Sequence, residues 1–168
     1  MGCGSIVSHA QSWSLASVTI DPRFARLVRL MEEHIPFNRM LGMRVDQLSA
    51  GACVLRLPWR DELIGDPMRP AVHGGVLSTL ADTAGGLACF SLLTSPEDRV
   101  STVDLRVDYL QPGPALDVLC HAKTIRMGNR VAVARMTLFA GALPPPDQLE
   151  TSPIATAQAV YNVVRRAD

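Results

Sequence analysis

The chain has 168 residues with sixteen Lys plus Arg against sixteen Asp plus Glu, a formal charge of zero, so it lacks the basic footprint that phosphate-backbone binding requires, and nucleic acid is excluded as a partner. That length makes one domain that buries roughly two thirds of its unfolded surface and leaves no room for a second catalytic one. With 48% apolar and only 19% charged residues, the composition excludes disorder, and the scarcity of polar surface points to cover by another subunit and hence to a homo-oligomer.

Residues 1–20 read as a loosely ordered leader ahead of a single domain over 21–168. They lack the positively charged start and apolar run of a secretory signal, and Ile6 stands where a myristoylation motif wants Ser or Thr. The cytoplasm is therefore the expected location. Asp21-Pro22 offers an N-cap and a proline at the first helical position, and Phe24, Leu27, Val28, Met31 and Ile35 follow at helical spacing, which predicts a short helix ending near Pro36. Gly42 to Leu48 and Ala52 to Trp59 read as a hairpin across Ser49-Ala50-Gly51, and the prolines between 60 and 72 predict a loop.

His73 to Thr94 is the longest apolar stretch and predicts a buried central helix, since its glycines, Asp82 and hydroxyls fit a membrane span poorly. Four strand-like segments follow: Val100–Leu110, Ala115–Met127, Arg130–Ala140 and Pro153–Arg165. In the first, Val103, Leu105, Val107 and Tyr109 alternate with Thr102, Asp104, Arg106 and Asp108. The short links Gln111-Pro112-Gly113-Pro114 and Gly128-Asn129 lead to the expectation that successive strands are antiparallel neighbours. The order implies an α+β fold, one antiparallel sheet wrapped round one helix.

The sharpest local feature is Val72-His73-Gly74-Gly75 opening the central helix, with Asp82 nine residues after His73. The first amides of a helix lack internal partners, so Gly74 and Gly75 let a carbonyl oxygen approach bare N–H groups, an oxyanion site in principle. Asp82 lies too far along the same helix to act on that carbonyl, but a two-fold partner would bring its own copy across. Ser78, Thr79, Gly85 and Gly86 offer Asp82 no cation, so the alternative is a structural carboxylate satisfied by a hydroxyl such as Ser78 or by backbone amides. Read in isolation, His73 is more often a loop or N-cap histidine bonded to backbone than a catalyst. The pair Gly85-Gly86 points to close packing against the sheet rather than to ligand space. Cys3, Cys53, Cys89 and Cys120 are too scattered for a zinc site or a disulfide framework.

Taken together, His73 through Gly86 resembles the HGG helix of hotdog-fold acyl-CoA thioesterases, the PaaI-type and 4-hydroxybenzoyl-CoA thioesterase group. Pro36-Phe37-Asn38-Arg39-Met40-Leu41-Gly42 is similar to that family's opening segment, and Thr102 through Pro112 to its first long strand, so the resemblance spans about residues 36–165. It implies hydrolysis of an acyl-CoA thioester, with no metal or redox cofactor, at a site between two subunits of a dimer or a dimer of dimers. In that reading the Gly74 amide polarises the thioester carbonyl, and the partner's Asp82 activates water or attacks directly. His73 contacts substrate near the thioester, and the family's strand hydroxyl falls at Thr102, or at Ser101 if the register slips by one. The long strand from about Val100 would pair across the two-fold axis. One departure stands out: the family commonly places Asn or Gln six residues before the HGG histidine, where this chain has Pro67, with Asp66 and Arg69 beside it. A hotdog hydratase or dehydratase and a non-catalytic acyl-CoA-binding module are the competing readings. Against the former, Asp66 and His73 stand at the wrong spacing.

Overall fold

The computed structural model describes residues 19–165. Residues 1–18 of the expected leader lie outside that range, and its last two residues form a strand, β1 (Thr19–Ile20). Asp21 then caps a helical segment as its chemistry requires. Its Oδ1 accepts from the Arg23 amide at 3.0 Å, while Pro22, at the first position, gives up no donor the helix would have used. A 3-10 turn leads into α1 (Ala25–Arg29) and a π-helical turn at Leu30–His34. The segment stops there because Pro36 forces Ile35 into an extended conformation. A second helix, α2 (Pro36–Leu41), follows, on a stretch that the sequence reading assigned to no element, and Gly42 closes it in the left-handed region at φ 71°.

Strands β2 (Arg44–Ser49) and β3 (Ala52–Leu57) form the expected hairpin, and β1 pairs in parallel with β2. The expected loop over 60–72 contains a 3-10 turn at Asp61–Leu63 and a small hairpin of β4 (Ile64–Asp66) and β5 (Ala71–Val72). The central helix α3 spans Gly74–Phe90, ending before Thr94. It ends early because Ser91 Oγ turns back onto the Ala88 carbonyl at 2.7 Å and accepts the Gly51 amide at 2.8 Å, tying the chain to the β2–β3 turn. After it come β6 (Arg99–Tyr109), β7 (Val118–Met127), β8 (Val131–Ala140) and β9 (Ala155–Val164), each close to its expected bounds.

The seven-stranded sheet runs β1-β2-β3-β7-β8-β9-β6. The expectation that β6 and β7 are neighbours is therefore corrected: β6 lies at the edge against β9, and β7 lies between β3 and β8. The connecting residues 110–117 cannot make a tight hairpin, because Pro112 and Pro114 withhold the donors it needs. Instead the Leu110 and Gln111 amides both reach the Ile154 carbonyl, at 2.9 and 3.1 Å, and Gly113 O accepts from Val72 N at 2.9 Å, which carries the chain across the ends of β9 and β8. The helix packs into the concave face. Ala155, Ala157 and Ala159 on β9 and Ala132 and Ala134 on β8 all turn inward and are buried, and their small side chains let the apolar side of α3 approach.

Candidate active site

Gly74 opens α3 with His73 at its N-cap. His73 Nδ1 accepts the Gly75 amide at 2.9 Å, so the N-cap reading of the histidine holds and the Gly75 amide is not bare. Of the two glycine amides, Gly74 N–H has no partner among the described residues and is the one open to a ligand. Since Nδ1 is the acceptor, the ring N–H is assigned to Nε2. The His73 amide itself is held by the Leu63 carbonyl at 2.8 Å, so the 3-10 turn at Asp61–Leu63, just ahead of β4, fixes the cap.

Tyr109, at the end of β6, completes this end of the helix, and nothing in the sequence singled it out. Its hydroxyl donates to the Gly74 carbonyl at 3.0 Å and meets Ser78 Oγ at 2.5 Å, while its ring lies where a Gly74 Cβ would touch it at 3.4 Å. Ser78 therefore serves Gly74, to whose carbonyl it also donates at 3.1 Å, and not Asp82. Gly74, Tyr109, Arg69, Leu77 and Gln111 line a groove of about 390 Å³. Asp66 is already engaged in its own turn, accepting from Met68 N at 2.9 Å and from Arg69 Nε at 3.2 Å. The Met68 amide, together with the Arg69 side chain, holds its carboxyl below the usual aspartate range.

Asp82 lies two turns on, about 12 Å along the axis from Gly74, and is half-buried. Thr102 Oγ1 donates to Asp82 Oδ1 at 2.8 Å, so a hydroxyl satisfies the carboxylate as the structural alternative foresaw, though it comes from β6 and not from Ser78. A β-bulge makes this contact possible. The plain alternation placed Thr102 on the polar face with Asp104, but the register shifts between Thr102 and Asp104, which turns Thr102 toward α3 alongside Leu105, Val107 and Tyr109 and leaves Val103 66% exposed. Ser101 is exposed and, one residue earlier on the strand, projects to the other face.

Tyr161 on β9 donates to the Asp82 backbone carbonyl at 3.0 Å. Burial, and after it the nearby Asp82 carboxylate, push the phenol far above its ordinary pKa and keep it neutral. The two glycines divide their work: a Gly85 Cβ would overlap the Tyr161 hydroxyl and come within 2.8 Å of Met136 Sδ, whereas Gly86 has room. Gly86 lines a largely apolar cavity of about 250 Å³ beside Asp82, shared with Met31, Ile35, Asn38, Leu87 and Phe90. One chain therefore presents a bare amide in a groove and a carboxylate at a separate cavity, on one helix but not at one point.

Residues 70–143 match the thioesterase superfamily. Over 160 residues the chain is 36% identical to the medium/long-chain acyl-CoA thioesterase YigI of Salmonella typhimurium, an overlap of 88% of this chain and 98% of that one. It is 35% identical to YigI of Escherichia coli over the same shares. Among solved structures, a thioesterase family protein from Silicibacter pomeroyi superposes with TM-score 0.71 at 28% identity, covering 85% of this chain and 99% of that one. A protein from Shewanella oneidensis related to the thioesterase superfamily gives 0.70 at 28% identity, covering 83% and 94%. The sheet order, the helix it encloses and these overlaps agree, and the chain belongs to the thioesterase superfamily as a hotdog-fold member.

Proposed function

We propose that the chain hydrolyses medium- to long-chain acyl-CoA thioesters in the cytoplasm, at a site where Gly74 of one subunit meets the partner's Asp82. The separation of the bare Gly74 amide from the Asp82 carboxylate along α3 carries this reading, because a single carbonyl cannot reach both groups in one chain. Strand β6 supplies the means of bringing them together. It is the sheet edge, it touches Asp82 through Thr102 and Gly74 through Tyr109, and the two contacts lie seven residues apart. Antiparallel pairing of β6 with its copy about a two-fold near Leu105 and Arg106 sets the Thr102 end of one strand against the Tyr109 end of the other. Such a dimer carries two equivalent sites, and a dimer of dimers carries four. The relatives named above as medium/long-chain acyl-CoA thioesterases support the substrate class.

The chemistry follows from what each group can do. The thioester carbonyl oxygen lies against Gly74 N–H, with His73 Nε2–H available as a second donor in place of the side-chain amide that Pro67 cannot provide. Oδ2 of the partner's Asp82 takes a proton from water while Thr102 holds Oδ1, and the water oxygen bonds to the carbonyl carbon. Collapse of the tetrahedral species breaks the C–S bond, and the departing CoA sulfur receives the proton from the carboxyl. The test is free thiol release from short, medium, long and aromatic acyl-CoAs by the wild type and by Asp82→Asn. Loss of about a hundredfold or more in kcat in the variant is expected for removal of a general base. Binding of acyl-CoA without thiol release by the wild type would replace this reading with that of a non-catalytic acyl-CoA-binding module.

A further inference from the structure

Asn38 is a buried polar side chain that the mechanism above does not use. It belongs to the first turn of α2, is 3% exposed, and lines the cavity beside Asp82. The backbone around it fixes which way its amide points. In the π-helical turn a carbonyl accepts from the amide five residues on, as Leu30 O does from Ile35 N at 3.1 Å. The next carbonyl, Met31 O, would look to residue 36, and Pro36 has no N–H to give. Asn38 Nδ2 takes that place and donates to Met31 O at 3.1 Å. The opposite flip would set two acceptors against each other, so the remaining atom, Oδ1, is the one left over.

Among the described residues nothing donates to Asn38 Oδ1. No buried side-chain polar atom there is both sealed from solvent and unpaired, so solvent reaches this oxygen, and Asn38 is a wall residue of the cavity. Between Met31, Ile35, Leu87 and Phe90 the cavity therefore carries a fixed hydrogen-bond acceptor in addition to the Asp82–Thr102 pair.

We infer that the cavity selects acyl groups that carry a hydroxyl near the thioester, donated to Asn38 Oδ1, with 3-hydroxyacyl-CoA the class that fits. This rests on the proposed thioesterase activity, and adds that the acyl group occupies the cavity beside the Asp82 that serves its carbonyl. An unsubstituted chain entering the cavity takes Oδ1 out of solvent and leaves the acceptor unpaired in apolar surroundings, whereas a hydroxyl gives it a partner. The cavity is about 250 Å³ and holds both Asp82 and Asn38 on its wall, which places the hydroxyl within a few carbons of the scissile carbonyl. A neutral O–H suits a neutral amide oxygen, and it leaves Asp82 free for water.

The experiment measures thiol release by the wild-type protein from decanoyl-CoA, from each enantiomer of 3-hydroxydecanoyl-CoA and from 3-methoxydecanoyl-CoA. The expected result is a kcat/KM for one 3-hydroxy enantiomer about tenfold above those for decanoyl-CoA and for the methoxy ether, which has no donor. Asn38→Leu should bring the hydroxy-to-decanoyl ratio close to one, but the wild-type comparison decides by itself. Equal kcat/KM for decanoyl and 3-hydroxydecanoyl, or a methoxy ether as good as the alcohol, would overturn the inference and leave the thioesterase reading standing. No thiol release from any of them would end the thioesterase reading and this inference with it.

Discussion

Replacing Gly85 by Ala should destabilise the protein, although in most helices the same change stabilises it. The intrinsic preference of Ala over Gly in a helix interior is worth about 1 kcal/mol. Against it, the new methyl overlaps the Tyr161 hydroxyl and lies 2.8 Å from Met136 Sδ, both in the packed face between α3 and the sheet. Overpacking of that kind costs about 1–3 kcal/mol, and pushing Tyr161 away also breaks its bond to the Asp82 carbonyl, worth about 1 kcal/mol. The net expectation is a loss of about 1–3 kcal/mol, seen as a lower urea midpoint at constant slope and a drop of about 2–4 °C in Tm per kcal/mol. Gly86→Ala is the internal control. Its Cβ would sit 3.7 Å from the Tyr161 ring, an ordinary contact, so it should gain up to about 1 kcal/mol while narrowing the cavity it lines. In a Tyr161→Phe background the penalty for Gly85→Ala should shrink, because the overlapping hydroxyl is gone. A Gly85→Ala protein as stable as the wild type would refute the close-packing argument for this pair.

Thr102→Val keeps the shape of a β-branched residue and removes the hydrogen bond that Thr102 donates to Asp82 Oδ1; kcat should fall about tenfold with little change in urea midpoint, and an unchanged kcat would remove Thr102 from the site. Tyr109→Phe keeps the ring over Gly74 and loses the bonds to the Gly74 carbonyl and Ser78; a severalfold loss in kcat/KM is expected in steady-state assays, and no loss would make the hydroxyl incidental. Burial raises the Cys53 and Cys120 thiols far above their ordinary 9.0 and the Tyr161 phenol far above its ordinary 10.0. Groups whose pKa is raised on folding lend stability in full below their unfolded values and lose it above them, so urea midpoints should be level to about pH 9 and fall beyond it, with Tyr161→Phe flattening the part above pH 10. A midpoint independent of pH from 8 to 11 would contradict that burial.

Much of the architecture was legible because its signals are local. Asp21-Pro22 starts a helix by capping chemistry alone, the all-round apolar stretch after His73 belongs in the centre of a fold, and prolines and glycines punctuate the strands. What was not legible depended on contacts distant in sequence. The place of β6 at the sheet edge is decided by two amides reaching Ile154 across forty residues, and the short proline-bearing link read instead as a turn between neighbours. The bulge after Thr102 has no signature in an alternating segment, yet it decides which hydroxyl meets Asp82. The N-cap reading of His73 and the donor reading of Gly75 exclude each other, because the Nδ1 that caps the helix takes the Gly75 amide. Tyr109 and Asn38 looked like ordinary strand and helix residues. A signal for Asn38 does exist in the sequence, since a proline two residues earlier leaves a carbonyl in the preceding turn in need of a donor.

The claim that one site takes Gly74 from one subunit and Asp82 from the other is open to a complementation experiment. Asp82→Asn removes the base, and Gly74→Pro removes the amide N–H at a first helical position where proline is tolerated. Each variant alone should release no thiol from acyl-CoA. Unfolded together at equal amounts and refolded, half of the dimers are mixed, and each mixed dimer has one site with both an intact Gly74 and an intact Asp82. The account predicts recovery of about a quarter of wild-type activity in the mixture. Two inactive parents whose mixture stays inactive, although mass analysis shows mixed dimers, would mean that the residues do not meet across subunits.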